Sequence, residues 1–449
     1  MLRLTRAAAP LAKSWIGVLP RLAVSCGLLL HTTVAVSQAS VRATPVELLE
    51  LADRSAASGN FRRAEQILEL LIRDPRSDIH NEARSRLALL YERSGRDRDA
   101  ALLLRSILDE KPDTSAVRIR LAMLLQKLGD DDAAHRELRA VRVTDLPPNV
   151  ARFVDRLAAA AQAHKPVSFQ VEVALAPDSN INRASRSDSV GTVLGDFQLE
   201  EGEKSGVGAT ARGYAQWRLK LAESLTLVSR ALGEARLYRE SDFNDIVAGV
   251  STGPELTLGG TTVSFEAGGS QQWYGHERYQ QVLRLNGTIV QPVDRVSQLR
   301  MDVSRRWTSD QLNSLRDGGG LGLLGRYERA LSPRLAIVAN GALDRFEAED
   351  DAYSTWSWSV GLSAYREVGR MTWNIGAEYG SLESDERLEI FPKKRDDRLF
   401  RLQVGSVFRQ LTFGGFAPVA RVIYERNAST IEFYDYRRFR TEFGISRAF

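Results

Sequence analysis

Five histidines, one cysteine and scattered carboxylates are the groups in this chain that could do covalent or metal chemistry. His31, His80, His135, His164 and His276 share no spacing that would place two imidazoles on one metal ion. His276 stands near Ser270 and Glu277, the residue types of a hydrolytic relay. Sequence neighbours rarely converge in the geometry such a relay needs, so a solvated loop histidine is expected. Gly318-Gly319-Gly320 lacks the lysine and the strand-to-helix setting of a phosphate loop. The acidic runs at 347–351 and 383–386 read as solvated loop tips, whose one alternative chemistry is a bridging divalent cation. The expectation is a non-enzyme with no catalytic residue, metal or cofactor.

Binding is the chemistry left. The densest polar stretch is Pro177-Asp178-Ser179-Asn180-Ile181-Asn182-Arg183, directly after the alternating run Phe169, Val171, Val173, Leu175. Asp, Ser and Asn favour turns and side-chain-to-backbone bonds, so one reading is a turn that closes a strand. The other places Asn180, Asn182 and Arg183 at the mouth of whatever that strand builds, contacting what passes there or fixing a plug.

The elements around this stretch are strands. Trp356, Trp358, Val360, Leu362 and Ala364 alternate with Ser357, Ser359, Gly361 and Ser363, one apolar face and one small polar face. Leu299, Met301, Val303 and Trp307 alternate with Arg300, Asp302, Ser304 and Arg306, and 400–409 repeats the pattern. Connectors alternate between a short set (221–224, 258–261, 293–295, 331–334, 368–370, 411–415) and a longer set (177–204, 239–245, 275–279, 309–320, 347–351, 382–397, 427–435). Seven long and six short connectors make fourteen strands, and tight turns on one side with freer loops on the other are the signature of a closed membrane barrel. A soluble sandwich would alternate similarly. Against it stand the strand lengths, aromatics near strand ends (Trp217, Trp273, Tyr274, Trp307, Tyr327, Tyr365) and polar faces rich in arginine, which suit a hydrated lumen.

Composition divides the chain. Only five of 34 glycines precede residue 166, and of the aromatics only Trp15, Phe61, Tyr91 and Phe153 do so. The first part therefore reads helical and the second β. Residues 1–39 read as a signal peptide, with Arg3, Arg6 and Lys13, an apolar stretch at 22–30 and a Ser37-Gln38-Ala39 cleavage site. Cys26, the only cysteine, would leave with it, since the residues before and after it make a poor lipobox. Beyond the leader no apolar run approaches the roughly 20 residues of a spanning helix. The net charge of +4 is mild and its arginines are spread along strands, so nucleic acid is not an expected partner.

Residues 40–165 read as one helical domain, and 46–146 within it contain a repeat. Gly59…Ala64, Gly95…Ala100 and Gly129…Ala134 share Gly-x-x-x-x-Ala, followed by Leu68 and Leu71, Leu104 and Ile107, Leu138 and Val141. Pro75 and Pro112 end the first two units. Glycine allows the tight turn, alanine the close helix approach, and proline stops the second helix. The spacing resembles the tetratricopeptide repeat of about 34 residues. A further helix is expected over 149–163. Stacked helix pairs of this kind bind extended segments or partner proteins.

These repeats, the Pro177–Arg183 motif and the barrel at 166–449 together resemble the surface lipoprotein assembly modifier family. The resemblance implies an outer-membrane translocon that moves client lipoproteins or related secreted proteins to the cell surface. Its helical domain would lie in the periplasm to dock the client or a carrier or chaperone. Its barrel, a monomer, would sit among outer-membrane lipid and lipopolysaccharide. The end of the chain, Glu442 to Phe449, is similar to a barrel-assembly signal through Gly444 and the final Phe449, although Arg447 departs from it. The competing function is an outer-membrane channel for solutes or exported polysaccharide, which arginine-lined strands would suit if the cargo is anionic.

Overall fold

The computed structural model describes residues 43–447 except 145, 148, 149, 152, 155, 156, 158–166, 200, 201, 412, 414 and 415. The expected leader, the cleavage site and Phe449 lie outside the described residues, as does much of the helix expected over 149–163.

Among the described residues six full helices come first: α1 (Pro45–Ala57), α2 (Phe61–Leu71), α3 (Ser77–Arg93), α4 (Asp97–Glu110), α5 (Ser115–Leu128) and α6 (Asp131–Arg142). They pack as successive pairs, α1 on α2, α3 on α4, α5 on α6. Each pair turns at a left-handed glycine, Gly59, Gly95 and Gly129, with φ of 79, 73 and 82°, where a Cβ would be strained. Asn60 and Asp130 cap α2 and α6, accepting the Arg63 and Ala133 amides at 3.2 and 2.9 Å. Ala64, Ala100 and Ala134 are fully buried, and Leu68, Leu71, Leu104 and Ile107 complete a continuous core. Leu138 and Val141 pack with Ile119, Ala122 and Val154 in a second cluster, so the chain beyond α6 stays on the stack.

The rest is β. In order run β1 (Val167–Asp178), β2 (Ser189–Thr192), β3 (Gly195–Gln198), β4 (Gly206–Lys220), β5 (Leu225–Tyr238), β6 (Asp245–Leu258), β7 (Thr261–Tyr274) and β8 (Glu277–Pro292). Then follow β9 (Ser297–Asp310), β10 (Gly318–Ser332), β11 (Leu335–Ala348), β12 (Thr355–Val368), β13 (Met371–Ser384), β14 (Asp396–Phe408), β15 (Phe416–Ser429) and β16 (Tyr436–Arg447). Fourteen of them close into one antiparallel barrel, each paired with its sequence neighbour and β1 with β16. β2 and β3 form a separate hairpin inside the first long connector.

The apolar faces point outward. Val250, Leu362 and Leu175 are 65, 59 and 61 % exposed, and large apolar side chains on the other strands share that surface. A sandwich would bury them against a second sheet; here they form a lipid-facing band around a polar interior. Among the described residues no helix is long and apolar enough to cross a membrane. Trp217, Trp307 and Trp356 lie on the outer face near strand ends. Tyr365, expected among these aromatics, pairs with Ala336 on the inward side.

One connector departs from the expected alternation. The chain between β7 and β8 is only Gly275-His276, on the side of the longer loops. Gly275 takes φ of 60°, which permits the two-residue turn, and a bulge between Gln272 and Trp273 absorbs the register change. The 239–244 loop covers this turn, the Gly275 amide donating to the Asn244 carbonyl at 2.8 Å.

Candidate functional site: the closing seam and the capped lumen

Two strands far apart in sequence must meet to close the barrel, and the polar motif sits where they do. The β1–β4 ladder runs unbroken from Val167↔Trp217 to Asp178↔Gly206. The β1–β16 ladder pairs Glu172 to Leu175 with Ser446 to Phe443, skips Ala176 and Pro177, and resumes at Asp178↔Arg440. The Ser179 amide donates to the Phe439 carbonyl at 3.0 Å, so odd residues of β1 turn their amides toward β16. Pro177 has no amide to give, which accounts for the gap.

Side chains bridge what the backbone leaves open. The Asp178 carboxylate is fully buried and takes the Arg438 guanidinium of β16, with Nε at 2.9 and 3.0 Å from its two oxygens. Tyr238 of β5 donates its hydroxyl to the same carboxylate at 3.2 Å, and the Asn180 amide does so at 3.0 Å. Further along the interior, Glu172 of β1 meets Arg212 of β4 at 3.1 Å and Arg421 of β15 at 3.0 Å. Glu442 of β16, fully buried, meets Arg212 at 2.8 Å, Arg440 at 3.3 Å and also Arg421. These ion pairs span β15, β16, β1 and β4, so the seam is held from inside as well as by its ladder.

The rest of the motif holds the first long connector at the barrel mouth. Asn180 is fully buried, its Nδ2 donating to the Ala184 and Arg437 carbonyls at 3.0 and 3.1 Å. Its Oδ1 accepts the Ala184 amide at 2.9 Å. Asn182 bonds the Gly202 carbonyl and the Lys204 amide, both at 3.0 Å, tying the two ends of the connector together. Ser179 Oγ accepts the Phe439 amide at 2.9 Å. Arg183 is the one non-glycine residue among those described with positive φ, at 49°, making the tight reversal. Beyond it, Ser185 donates to the Glu432 carbonyl at 2.5 Å and the Arg186 amide to the Asp435 carbonyl at 3.0 Å. The connector thus lies across the β15–β16 loop, and Val193 reaches the β13–β14 loop through its amide to the Ile390 carbonyl. Asp178 and Asn180 are spent on internal bonds.

At the opposite end the helices cover the short turns. Arg409 meets Asp109 of α4 at 2.7 Å, both nearly buried, and Arg334 donates to the Asp109 carbonyl at 3.1 Å. Arg105 of α4 reaches Glu367 of β12 at 3.0 Å and Glu137 of α6 at 2.5 Å. Arg139 of α6 meets Glu328 of β10 at 2.7 Å, and Arg142 donates to the Arg295 carbonyl at 3.2 Å. Burial pushes the Asp109 carboxyl above its ordinary range even against the pull of Arg409. Between α6 and the lumen wall lies a cavity of about 940 Å³.

The lumen's arginines are mostly committed: Arg218 to Glu255, Arg230 to Glu266, Arg306 to Asp344 at 2.5 Å and Arg401 to Glu425 at 2.9 Å. In the acidic loop tips, Asp385 takes Arg345 at 2.5 Å and is held below the usual carboxylate range by that bond. His276 meets Ser241 at 2.9 Å and Asp242 at 3.4 Å, both through Nε2, so the acid does not orient the other ring nitrogen.

A closed fourteen-stranded barrel with a lipid-facing belt, a charged lumen and a helical cap is an outer-membrane barrel architecture. The family model for the surface lipoprotein assembly modifier matches residues 168–449, and the chain belongs to that family. Its place is the outer membrane, and its role lies in assembling lipoproteins at the cell surface. No curated protein matches the chain. Among solved structures, the outer membrane channel DcaP of Acinetobacter baumannii aligns at 9 % identity and a TM-score of 0.38, covering 62 % of this chain and 96 % of that one. Acinetobacter baumannii OccAB3 aligns at 8 % and 0.36 (62 and 98 % covered), and a bacterial polysaccharide outer membrane secretin at 12 % and 0.34 (62 and 98 %). At such low scores these alignments carry no functional weight beside the family match.

Proposed function

We propose that this protein is a translocon that delivers client lipoproteins, or related secreted proteins, to the cell surface. The tetratricopeptide-like helices dock the client on the periplasmic side, and the barrel gives it a route outward. The observation that carries this reading is the seam, where a proline-interrupted ladder is supplemented by side-chain ion pairs. Fourteen strands about 4.8 Å apart and tilted near 40° give a ring roughly 28 Å across between backbones, too narrow for most folded domains once side chains are added. A client passes unfolded, or the wall parts between β1 and β16. A lipidated client favours parting, because its acyl chains stay in lipid instead of crossing a polar lumen. Its folding outside supplies the driving force.

The test is deletion of the gene followed by protease shaving of intact cells. Loss of surface lipoproteins from the shaved fraction, with their total amount unchanged, is expected. Unchanged exposure of every surface protein would remove the translocon reading and favour a channel for solutes or exported polysaccharide.

A further inference from the structure

The cavity of about 940 Å³ under α6 has charges that its own walls do not neutralise. It sits near the top of the roughly 300–1,000 Å³ range of ligand sites. Its acids are engaged: Glu255 with Arg218, Glu266 with Arg230, Glu328 with Arg139, and Asp294 with Arg329. Asp130 caps α6. Two guanidiniums, Arg136 of α6 and Arg326 of β10, have no carboxylate partner among the described residues, and both line the space. Arg300, beside Arg326 in the β9–β10 register, holds Asp302 and adds to the same side.

We propose that this cavity is a binding site for an acidic, extended polypeptide segment, whose Asp or Glu side chains lie between Arg136 and Arg326. The remaining lining favours a peptide over a lipid or a bare anion. Gln170 presents an amide that both donates and accepts; Gln216 and Gln298, whose oxygens accept from Arg230 and Arg139, keep their donors, and Asn286, whose nitrogen donates to Thr288, keeps its acceptor, a mixture that matches a peptide backbone. An acyl chain would instead strip water from two unpaired guanidiniums without replacing it. The proposal rests on the translocon reading and names the chemistry of the segment that enters first. α6 forms one wall, so the site exists only while the helices cap the lumen.

The test uses the full-length protein in detergent micelles, with a fluorescent twelve-residue peptide of alternating Glu and Ser followed by anisotropy. A Lys/Ser peptide, inorganic phosphate and an anionic oligosaccharide serve as competitors. Arg136→Gln and Arg326→Gln are each expected to weaken binding about tenfold, as befits loss of one charge-assisted pair. Arg366→Gln, on the outer face of β12, should leave it unchanged. Heat-dependent mobility on gels confirms that each variant barrel is folded. Equal binding of the Lys/Ser peptide, or wild-type affinity in the double variant, overturns the site. Displacement at lower concentration by phosphate or oligosaccharide than by unlabelled peptide also overturns it. Because binding is read in vitro, it stands or falls separately from surface exposure in deleted cells.

Discussion

Removing Arg438 is the sharpest perturbation of the seam. Asp178 is fully buried and Arg438 only 5 % exposed, with the carboxylate also accepting from Tyr238 and the Asn180 amide. Arg438→Ala leaves a buried carboxylate without its counter-charge, a change that costs about 3–5 kcal/mol. Tyr238 and Asn180 still donate to it, which puts the expected loss near the lower figure, about 3 kcal/mol. Asp178→Ala should cost a similar amount by stranding the guanidinium. The double variant removes both charges, so it should be more stable than the sum of the single losses by about 2 kcal/mol. Urea unfolding in micelles, followed by the shift between folded and unfolded gel mobility, measures all four proteins. Hydrogen exchange locates the effect, with β1 and β16 amides losing protection before those of β12 and β13. Additive losses, or exchange that rises equally around the barrel, would refute the argument that these side chains hold the seam.

Other outcomes follow from the same geometry. A Cβ at Gly444 would lie 2.1 Å from the Val173 carbonyl oxygen, so Gly444→Ala should wedge the seam and cost about 1–3 kcal/mol in urea unfolding. At Gly325 the nearest atom is 3.6 Å away, and alanine there should be tolerated in the same assay. Arg409→Ala should loosen the helical cap, since Arg409 and Asp109 are each 7 % exposed, and planar-bilayer recordings should show a larger conductance. For Glu110, burial raises the pKa but bonds from Arg84, His80 and Asn81 outweigh it and hold the group at about 2, against 4.5 unfolded. A depressed acid stabilises fully above pH 4.5 and loses that contribution as pH falls toward 2. With the side chain one-third exposed, solvent screening reduces the effect to about 1 kcal/mol. Thermal melting of the helical circular dichroism signal should show that acid loss, and Glu110→Gln should flatten it.

The barrel was legible wherever one face is apolar and the other polar. Trp356, Trp358, Val360 and Leu362 face outward as their alternation with serine and glycine predicts. The helical turns were legible because Gly59, Gly95 and Gly129 each need a left-handed backbone. The β2–β3 hairpin was not, since Ser189–Thr192 and Gly195–Gln198 are short and mostly polar. The 275–279 connector misled because its polar residues suit a loop and an edge of strand equally. At the site, the turn chemistry of Pro177–Arg183 could be read locally. Its partners could not: Arg438, Tyr238, Glu442 and Arg421 occupy ordinary lumen-facing positions hundreds of residues or several strands away. Closure brings Arg438, Glu442 and Arg421 to Asp178 and Glu172, and the β1–β4–β5 order brings Tyr238. The clasp of Arg409, Arg105 and Arg139 on the opposite rim is hidden for the same reason, because an arginine in a partnered bond and one in water have the same sequence signature.

Whether the wall between β1 and β16 must part is measured most directly by locking it. Leu175 and Phe443 are directly paired across the seam and face lipid, about 5.5 Å apart at Cα and within disulfide reach. With Cys26 replaced by serine, Leu175→Cys with Phe443→Cys should form one bridge when oxidised. Surface display of client lipoprotein should then stop, and return on reduction. A matched bridge at Leu362→Cys with Ala377→Cys, in the β12–β13 ladder, should leave display unchanged. Normal display with the seam fully cross-linked would contradict lateral parting and send the client through the lumen.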